Sequence, residues 1–340
     1  MRDYRRASSY AALNGKSILI TGGTGSFGQR FIEKILSEAA PARVVVFSRD
    51  EFKQFEMQQN LAFGRHPALR YFIGDVRDAD RLDLAMRGID TVVHAAALKH
   101  VPAAEYNPFE CIRTNVHGAE NVVRAALRAK VGRVLALSTD KAVNPINLYG
   151  ASKLAADKIF IAANHLSGND DVRFSVVRYG NVIGSRGSVV PMFRRLLAEG
   201  ATELPVTDER MTRFWITLTQ GVDFVVDCLA TMKGSEILVP KIPSMRITDL
   251  ARAMAPGLPL RTIGIRPGEK LHEALITRDD ARLTLELEDR YIVKPSFAMW
   301  DPSIDYGGKP VPEDFHYESG DNAEWLDADG LNTLFDKGHI

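Results

Sequence analysis

Two cysteines in 340 residues rule out a disulfide framework, and Cys111 and Cys228 stand too far apart for a metal-binding pair. The expectation is two ordinary buried thiols in a reducing compartment, the cytoplasm. Neither sign of charge is in excess: Lys+Arg and Asp+Glu both number 43, for a formal net charge of zero. Bulk charge therefore does not hold this chain to nucleic acid, although a local basic pocket for a diphosphate stays open. Every apolar run is interrupted well short of the roughly 20 residues a membrane span needs. Residues 1–13 are basic and contain serine but lack the apolar stretch of a secretory signal, so residues 1–15 read as a flexible arm. His94, His100 and His117 show no metal-ligand spacing and read as structural, and no metal is expected. Internal repeats and low-complexity segments are absent from the sequence as well.

What the chain does have is 45% hydrophobic residues, enough for a large core. Short β-branched runs recur at Ser17–Thr21, Arg43–Phe47, Tyr71–Ile73, Thr91–His94, Arg133–Ser138 and Arg173–Val177, with helical apolar periods between them. The longest helical patterns cover residues 108–129 and 149–166. Strands apolar throughout, alternating with helices, predict a parallel sheet covered on both faces. The fold class expected is α/β, a doubly wound Rossmann sheet over residues 16–180. Beyond Gly180 the rhythm breaks into short elements and Pro-rich turns. A smaller α/β lobe, mainly substrate-binding, is expected over residues 181–295, and an extension over 296–340. Its stretch from about Pro295 to Gly320 reads as an extended tail that docks on a neighbouring subunit.

Thr21 to Gly28 reads T-G-G-T-G-S-F-G, after a predicted strand and before a predicted helix. Gly22 and Gly25 let the backbone turn tightly and approach a pyrophosphate, and Gly28 lets the helix pack on the strand. The N–H groups of Ser26, Phe27 and Gly28 open the helix, whose positive end suits an anion. At the end of the second strand an NAD enzyme usually carries an acidic residue. Here the strand ends Phe47-Ser48-Arg49, with Lys53 one helical turn on. A hydroxyl and two cations suit a 2′-phosphate, which predicts NADP. Asp50 and Glu51 pull the other way, and the alternative for Arg49 and Lys53 is a solvated surface. Asp75, with Val76 beside it, is placed either to meet an adenine ring or to cap a helix.

The segment L-S-T-D-K-A-V-N-P-I-N-L-Y-G-A-S-K starts at Leu137, where a doubly wound sheet puts its chemistry. Tyr149 and Lys153 share a helix face. A lysine cation beside the phenol favours phenolate, so Tyr149 is expected to remove a proton from an alcohol while hydride leaves for the cofactor. Thr139 supplies a hydroxyl to the same oxygen.

These residues, with Ala95-Ala96-Ala97, Asn115 in T-N-V-H-G, and Arg178-Tyr179-Gly180-Asn181, resemble the extended short-chain dehydrogenases/reductases, which include nucleotide-sugar epimerases and dehydratases. The resemblance runs from about Lys16 to Ile292 and implies that Ala95, Ala96, Ala97 and Asn115 lie at the cofactor. Thr139-Asp140-Lys141 carries a finer likeness. Retaining 4,6-dehydratases resemble Thr-Asp-Glu at this place, whereas lysine resembles the inverting UDP-N-acetylglucosamine 4,6-dehydratases that open pseudaminic acid synthesis. Ala97–Pro102, Asp140–Pro145 and Met211–Trp215 resemble the same subgroup. The implied reaction oxidises C4, removes water across C5 and C6, returns hydride to C6 and inverts C5. Lys141 is expected to be neutral in a partly dry pocket and to take the C5 hydrogen; Asp140 or Lys141 protonates the leaving hydroxyl, and their division of labour stays open.

For the nucleotide sugar, a UDP-N-acetylglucosamine-type substrate, Asn181 is placed to meet diphosphate or sugar. Arg213 and Arg266 are the candidate diphosphate cations; Arg266 lies in R-P-G-E-K, a stretch similar to one in the epimerases. Glu269 is assigned to ribose, Val190 and Met192 to the uracil, and Lys99 to the sugar. Phe214 and Trp215 read as core. Alternative readings are a UDP-sugar 4-epimerase, a retaining or capsule-type dehydratase, and a silent cofactor-sensing protein. The resemblance implies a homo-oligomer paired through helices 108–129 and 149–166, with hexamers in the inverting subgroup.

Overall fold

A computed structural model describes residues 2–168, 171–184, 188–297 and 303–336. The β-branched runs form the strands they predict. These are β1 (Ser17–Thr21), β2 (Arg43–Ser48), β3 (Leu69–Ile73), β4 (Thr91–His94), β5 (Arg133–Thr139) and β6 (Arg173–Tyr179). They lie parallel in the order β3-β2-β1-β4-β5-β6. Because the chain winds outward from β1 in both directions, the crossovers part between β1 and β4. A crevice opens there at the carboxyl ends. Thr21 pairs with His94 on one side and with Phe47 on the other, so the ends of β1, β2 and β4 share one level. Thr139 pairs with Tyr179 at the same edge.

The sheet does not stop at β6. Ile237–Pro240 joins it in parallel, and Arg290–Val293, Thr284–Glu286 and Lys309–Pro310 extend it antiparallel, giving ten strands. Segments assigned from sequence to the second lobe and to the extension thus finish the first domain's sheet. Val239 and Ile292 are apolar on both sides of this join and fill the same core as Leu19 and Val176. The second lobe has a separate core around Val190, Phe193, Trp215, Met245 and Leu250, completed from the far end by Leu326, Leu331 and Leu334. The chain crosses between two cores more than once, so a cut at 180 or 295 does not match either.

Residues 2–15 are packed, which corrects the expectation of a flexible arm. Tyr4 and Tyr10 are each 1% exposed. The Tyr4 hydroxyl donates to the Lys241 carbonyl (2.6 Å), Ser9 Oγ to Asp227 (2.6 Å) and the Tyr10 hydroxyl to Asp223. Two aromatic bodies with polar tips explain the docking: ring area is buried while each hydroxyl finds an acceptor. Where the described part of the extension can be followed, Tyr317–Glu318 pairs with Ala274–Ile276 of its own chain; residues 298–302 of the expected tail lie outside the described residues.

The helix expected over residues 108–129 forms as one run with a π-helical turn at Arg113–His117. The second expected helix spans Leu148–Ala163 and ends in a 3₁₀ turn through Leu166. Cys111 and Cys228 are buried and unpaired. Among the described residues no helix is long and apolar enough to cross a membrane.

Candidate active site

A cleft of 610 Å³ follows the carboxyl edge from β2 to β6. Its first half is built from backbone. Gly22 has φ +68°, and a Cβ there would lie 3.0 Å from Cα of Ala96. The turn after β1 can therefore be closed only by glycine. At Gly28 an added Cβ would meet the Gly23 carbonyl at 2.5 Å, which sets how closely helix Ser26–Glu38 approaches β1. No side chain caps this 13-residue helix, so its first-turn N–H groups remain for a ligand. An uncapped helix end over a cradle that any side chain would fill fits a dinucleotide pyrophosphate. Thr21 is fully buried behind the loop. Its Oγ1 accepts from the N–H groups of Ala95 and Ala96, both at 3.2 Å, and hydrogen-bonds His94 Nδ1 at 2.8 Å. Thr21 therefore positions the cradle wall rather than touching cofactor. Burial, with Lys153 nearby, drives the His94 pKa down to about 3 and leaves the ring neutral.

Ser48, Arg49 and Lys53 line the far end of the cleft. Ser48 Oγ accepts from Gln54 (2.9 Å), and both cations keep about half their side-chain surface exposed. Asp50, the acidic neighbour, caps helix Glu51–Asn60 through the Lys53 N–H and pairs with Lys53 Nζ at 3.3 Å. Asp75 turns onto Arg77, accepting from its backbone (2.9 Å) and guanidinium (2.7 Å). Val76 lines the cleft while Asp75 does not.

The second half is chemical. The Asp140–Ala142 turn after β5 abuts helix Leu148–Ala163 so closely that a Cβ on Gly150 would stand 2.1 Å from the Lys141 carbonyl. This contact brings Asp140 and Lys141 to Tyr149 and Lys153; with Thr139 all five line the cleft. Thr139 Oγ1 donates to Asp140 Oδ1 (2.8 Å), and Lys141 Nζ lies 3.0 Å from the same oxygen. Lys153 is 5% exposed and donates to the Leu137 carbonyl (2.6 Å).

Two electrostatic expectations change. Burial pulls Lys141 down, but the carboxylates of Asp140 and Glu273 outweigh it, so its pKa is raised and the side chain is an ammonium rather than neutral. Tyr149 is pushed up to about 12, first by burial and also by Asp140, against the lowering by Lys141 and by its hydrogen bond with Thr139. Lys153 is shifted down, by burial.

Other predicted contacts fall outside the cleft. Asn115, in the π-helical turn, is 2% exposed and spends its amide on Leu98 N, Leu98 O and Ser152 Oγ. It anchors the Ala95–Lys99 loop to helix Leu148–Ala163. Arg213 is 7% exposed, and its guanidinium donates to the carbonyls of Thr212, Leu271 and Lys270. A guanidinium with its donors committed to main chain has little left for a diphosphate. Val190 is a core residue of the second lobe, with Met192 against it. Arg266 is exposed and pairs with Glu269 at 2.6 Å, on the loop whose Gly268 touches Val101 and Asn147. Lys99 and Asn181 do line the cleft, and Asn181 Oδ1 is buried without a partner. His94, Phe214 and Trp215 are buried as expected, whereas His100 lines the cleft.

Sequence reasoning missed Glu273, whose Oε1 lies 3.3 Å from Lys141 Nζ. Its signal was a lone acid in the apolar run Leu271–Ile276. Tyr179, Thr24 and Thr114, which stand in the sequence motifs without an assigned role, line the cleft, and so does Leu218, which no motif pointed to.

A crevice at the switch point, a glycine cradle, and Tyr149 and Lys153 on one helix define an extended short-chain dehydrogenase/reductase. A family described as polysaccharide biosynthesis protein matches residues 18–295. The chain is 55% identical over 319 residues to a protein of Campylobacter jejuni subsp. jejuni serotype O:23/36 (strain 81-176) named UDP-N-acetylglucosamine 4,6-dehydratase (inverting), covering 92% of this chain and 95% of that one. It is 43% identical to a UDP-glucose 4-epimerase of Rickettsia canadensis (strain McKiel), over 81% and 82% of the two chains. Among solved structures, Pen from Bacillus thuringiensis superposes with a TM-score of 0.87 at 36% identity, covering 96% of this chain and 99% of that one. The chain belongs to the polysaccharide biosynthesis protein family and, within it, stands close to the inverting UDP-N-acetylglucosamine 4,6-dehydratases.

Proposed function

We propose that this protein is a C5-inverting UDP-N-acetylglucosamine 4,6-dehydratase, a hydro-lyase that forms UDP-2-acetamido-2,6-dideoxy-β-L-arabino-hex-4-ulose. This reaction opens synthesis of sugars of the pseudaminic acid type. The observation that carries the reading is Asp140-Lys141 at the end of β5, in one cleft with Thr139, Tyr149 and Lys153. An epimerase needs the last three; water elimination needs an acid/base pair as well.

The nicotinamide dinucleotide, when bound, supplies hydride acceptance at C4 and hydride return at C6. Tyr149, drawn back toward phenolate by Lys141 and by the positive charge the bound cofactor adds, receives the proton of the C4 hydroxyl, with Thr139 holding the same oxygen. The new ketone acidifies C5–H. Asp140 Oδ2 is buried without a partner, which suits it to accept that proton. Lys141, held as an ammonium, donates to the leaving C6 hydroxyl. C5 then takes a solvent-derived proton on the opposite face, while the protons held by Tyr149 and Asp140 pass back to Lys141 and to solvent.

NADP is the cofactor this reading favours, because Ser48, Arg49 and Lys53 stand where an NAD enzyme presents an acid, and Asp50 is tied up as a helix cap. Lys99 and Asn181 face the sugar, and Arg266 with Glu269 supplies a charged loop packed on Asn147 through Gly268. The homo-oligomer pairs through helices 108–129 and 149–166; Phe109, 78% exposed, stands at the start of the first, and Tyr106, 87% exposed, just before it. Two unpaired buried thiols suit the cytoplasm.

NMR of the protein with UDP-N-acetylglucosamine in D₂O tests this. A 4-keto-6-deoxy sugar with deuterium at C5 and L-arabino configuration is expected. D-xylo configuration would move the enzyme to the retaining class. A C4 epimer would favour the second reading, 4-epimerase, which the Rickettsia relative brings forward.

A further inference from the structure

Glu273 enters the active site from a segment more than 120 residues away from Asp140-Lys141 in sequence. It is 2% exposed, and its Oε2 has no hydrogen-bond partner. A carboxylate this dry is costly to bury unless charges meet it. Two do: Lys141 Nζ at 3.3 Å and Arg213 Nε at 3.9 Å, both from Oε1.

Its place is fixed by main chain. The Glu273 N–H donates to Ser319 Oγ (2.9 Å) and its carbonyl accepts from the Ser319 N–H (2.8 Å). Ser319 Oγ is itself hydrogen-bonded to Thr212 Oγ1 at 2.8 Å. Arg213, locked on three carbonyls, holds its Nε 3.9 Å from the same Oε1 that meets Lys141.

An ammonium carries three N–H donors. One side of Lys141 Nζ meets Asp140 Oδ1 at 3.0 Å and another meets Glu273 Oε1, while the residue lines the cleft. We propose that Glu273 is a positioning residue that, with Asp140, clamps Lys141 as an ammonium and aims its remaining N–H at the sugar end of the cleft. What that N–H then does rests on the dehydratase reading.

The charged groups facing Glu273 are Asp140 and Lys141 from the turn after β5, Arg213 from strand Thr212–Ile216, and Lys270 from its own segment. Without the Glu273 charge, Asp140 alone offsets Lys141 against Arg213 and Lys270. The ammonium then deprotonates at lower pH.

Glu273→Gln keeps the shape and removes the charge. The first readout needs no substrate: the rate at which acetic anhydride acetylates Lys141 at fixed pH, followed by peptide mass spectrometry. Only the neutral amine reacts, so a shift of about one pKa unit makes labelling about ten-fold faster. The second is the pH profile of turnover: the alkaline limb of kcat moves down by about one pH unit, with KM within about two-fold. Glu273→Asp retracts the charge by one methylene and should label about three-fold faster; it also decides the matter should the glutamine variant not fold. Unchanged Lys141 labelling and an unmoved alkaline limb would overturn the proposal, whatever the loss in kcat. A wild-type protein that forms no 4-keto sugar defeats the dehydratase reading instead, and the labelling still decides whether Glu273 holds Lys141.

Discussion

The two halves of the cleft are made differently. The cofactor half is drawn from neighbours in sequence: Gly22 to Gly28 is one turn and one helix start, and Ser48, Arg49 and Lys53 follow one strand. The sugar half is drawn from Lys99, Asp140-Lys141 and Asn181, with Glu273 behind Lys141, and only the tertiary fold brings these together. Local geometry dictates residue type in the first half. In the second, residue type is decided by whatever else is packed there. Arg213 has the chemistry of a phosphate ligand but spends it on the carbonyls of residues 212, 270 and 271.

The largest test of this contrast is Tyr149→Phe, which leaves the cradle intact and removes the hydroxyl. Turnover should fall about 10³-fold while cofactor binding, read by fluorescence titration, changes little. Equal loss of both would show that the halves are not separable. Next comes Arg213→Ala. A ligand role predicts weaker UDP-sugar binding at normal stability. The structure predicts a loss of about 3 kcal/mol in denaturant unfolding, because three carbonyls lose their donor and Glu273 loses one of its two cations. Arg49→Ala should weaken NADP binding about ten-fold and leave NAD binding nearly unchanged; equal effects on both cofactors would return Arg49 to the solvated surface.

The last effect is one of pH. The folded His94 pKa, about 3, lies below its ordinary value. The unfolded state therefore binds the extra proton first as pH falls. Stability is fully present above about pH 6.5 and declines toward pH 3, by up to about 1.4 kcal/mol per unit. Unfolding measured between pH 7 and 5 should show this slope, and His94→Gln should flatten it. A slope that persists in the variant would place its origin elsewhere.

The difference between the halves also sets what the sequence makes legible. The parallel strands could be read because they are largely apolar, and the glycine cradle because the close approaches at Gly22 and Gly28 leave no room for a Cβ. Tyr149 and Lys153 could be read because helical spacing puts them on one face. Glu273 could not, since its meaning depends on Lys141 in another element. The protonation of Lys141 was misjudged for the same reason: burial alone predicts a neutral amine, and two carboxylates reverse the sign. The edge strands beyond β6 escaped because each is two to four residues long and is stabilised by its neighbour rather than by its own pattern.

The docked amino-terminal segment sets an order of events during synthesis. Tyr4, Ser9 and Tyr10 bond to groups 213 to 237 residues further along the chain. At translation speeds of about 5–20 residues per second, they wait on the order of ten to fifty seconds for those partners to be made. A segment made long before its partners is therefore among the last to settle, and until then two tyrosines lack the acceptors that later receive their hydroxyls.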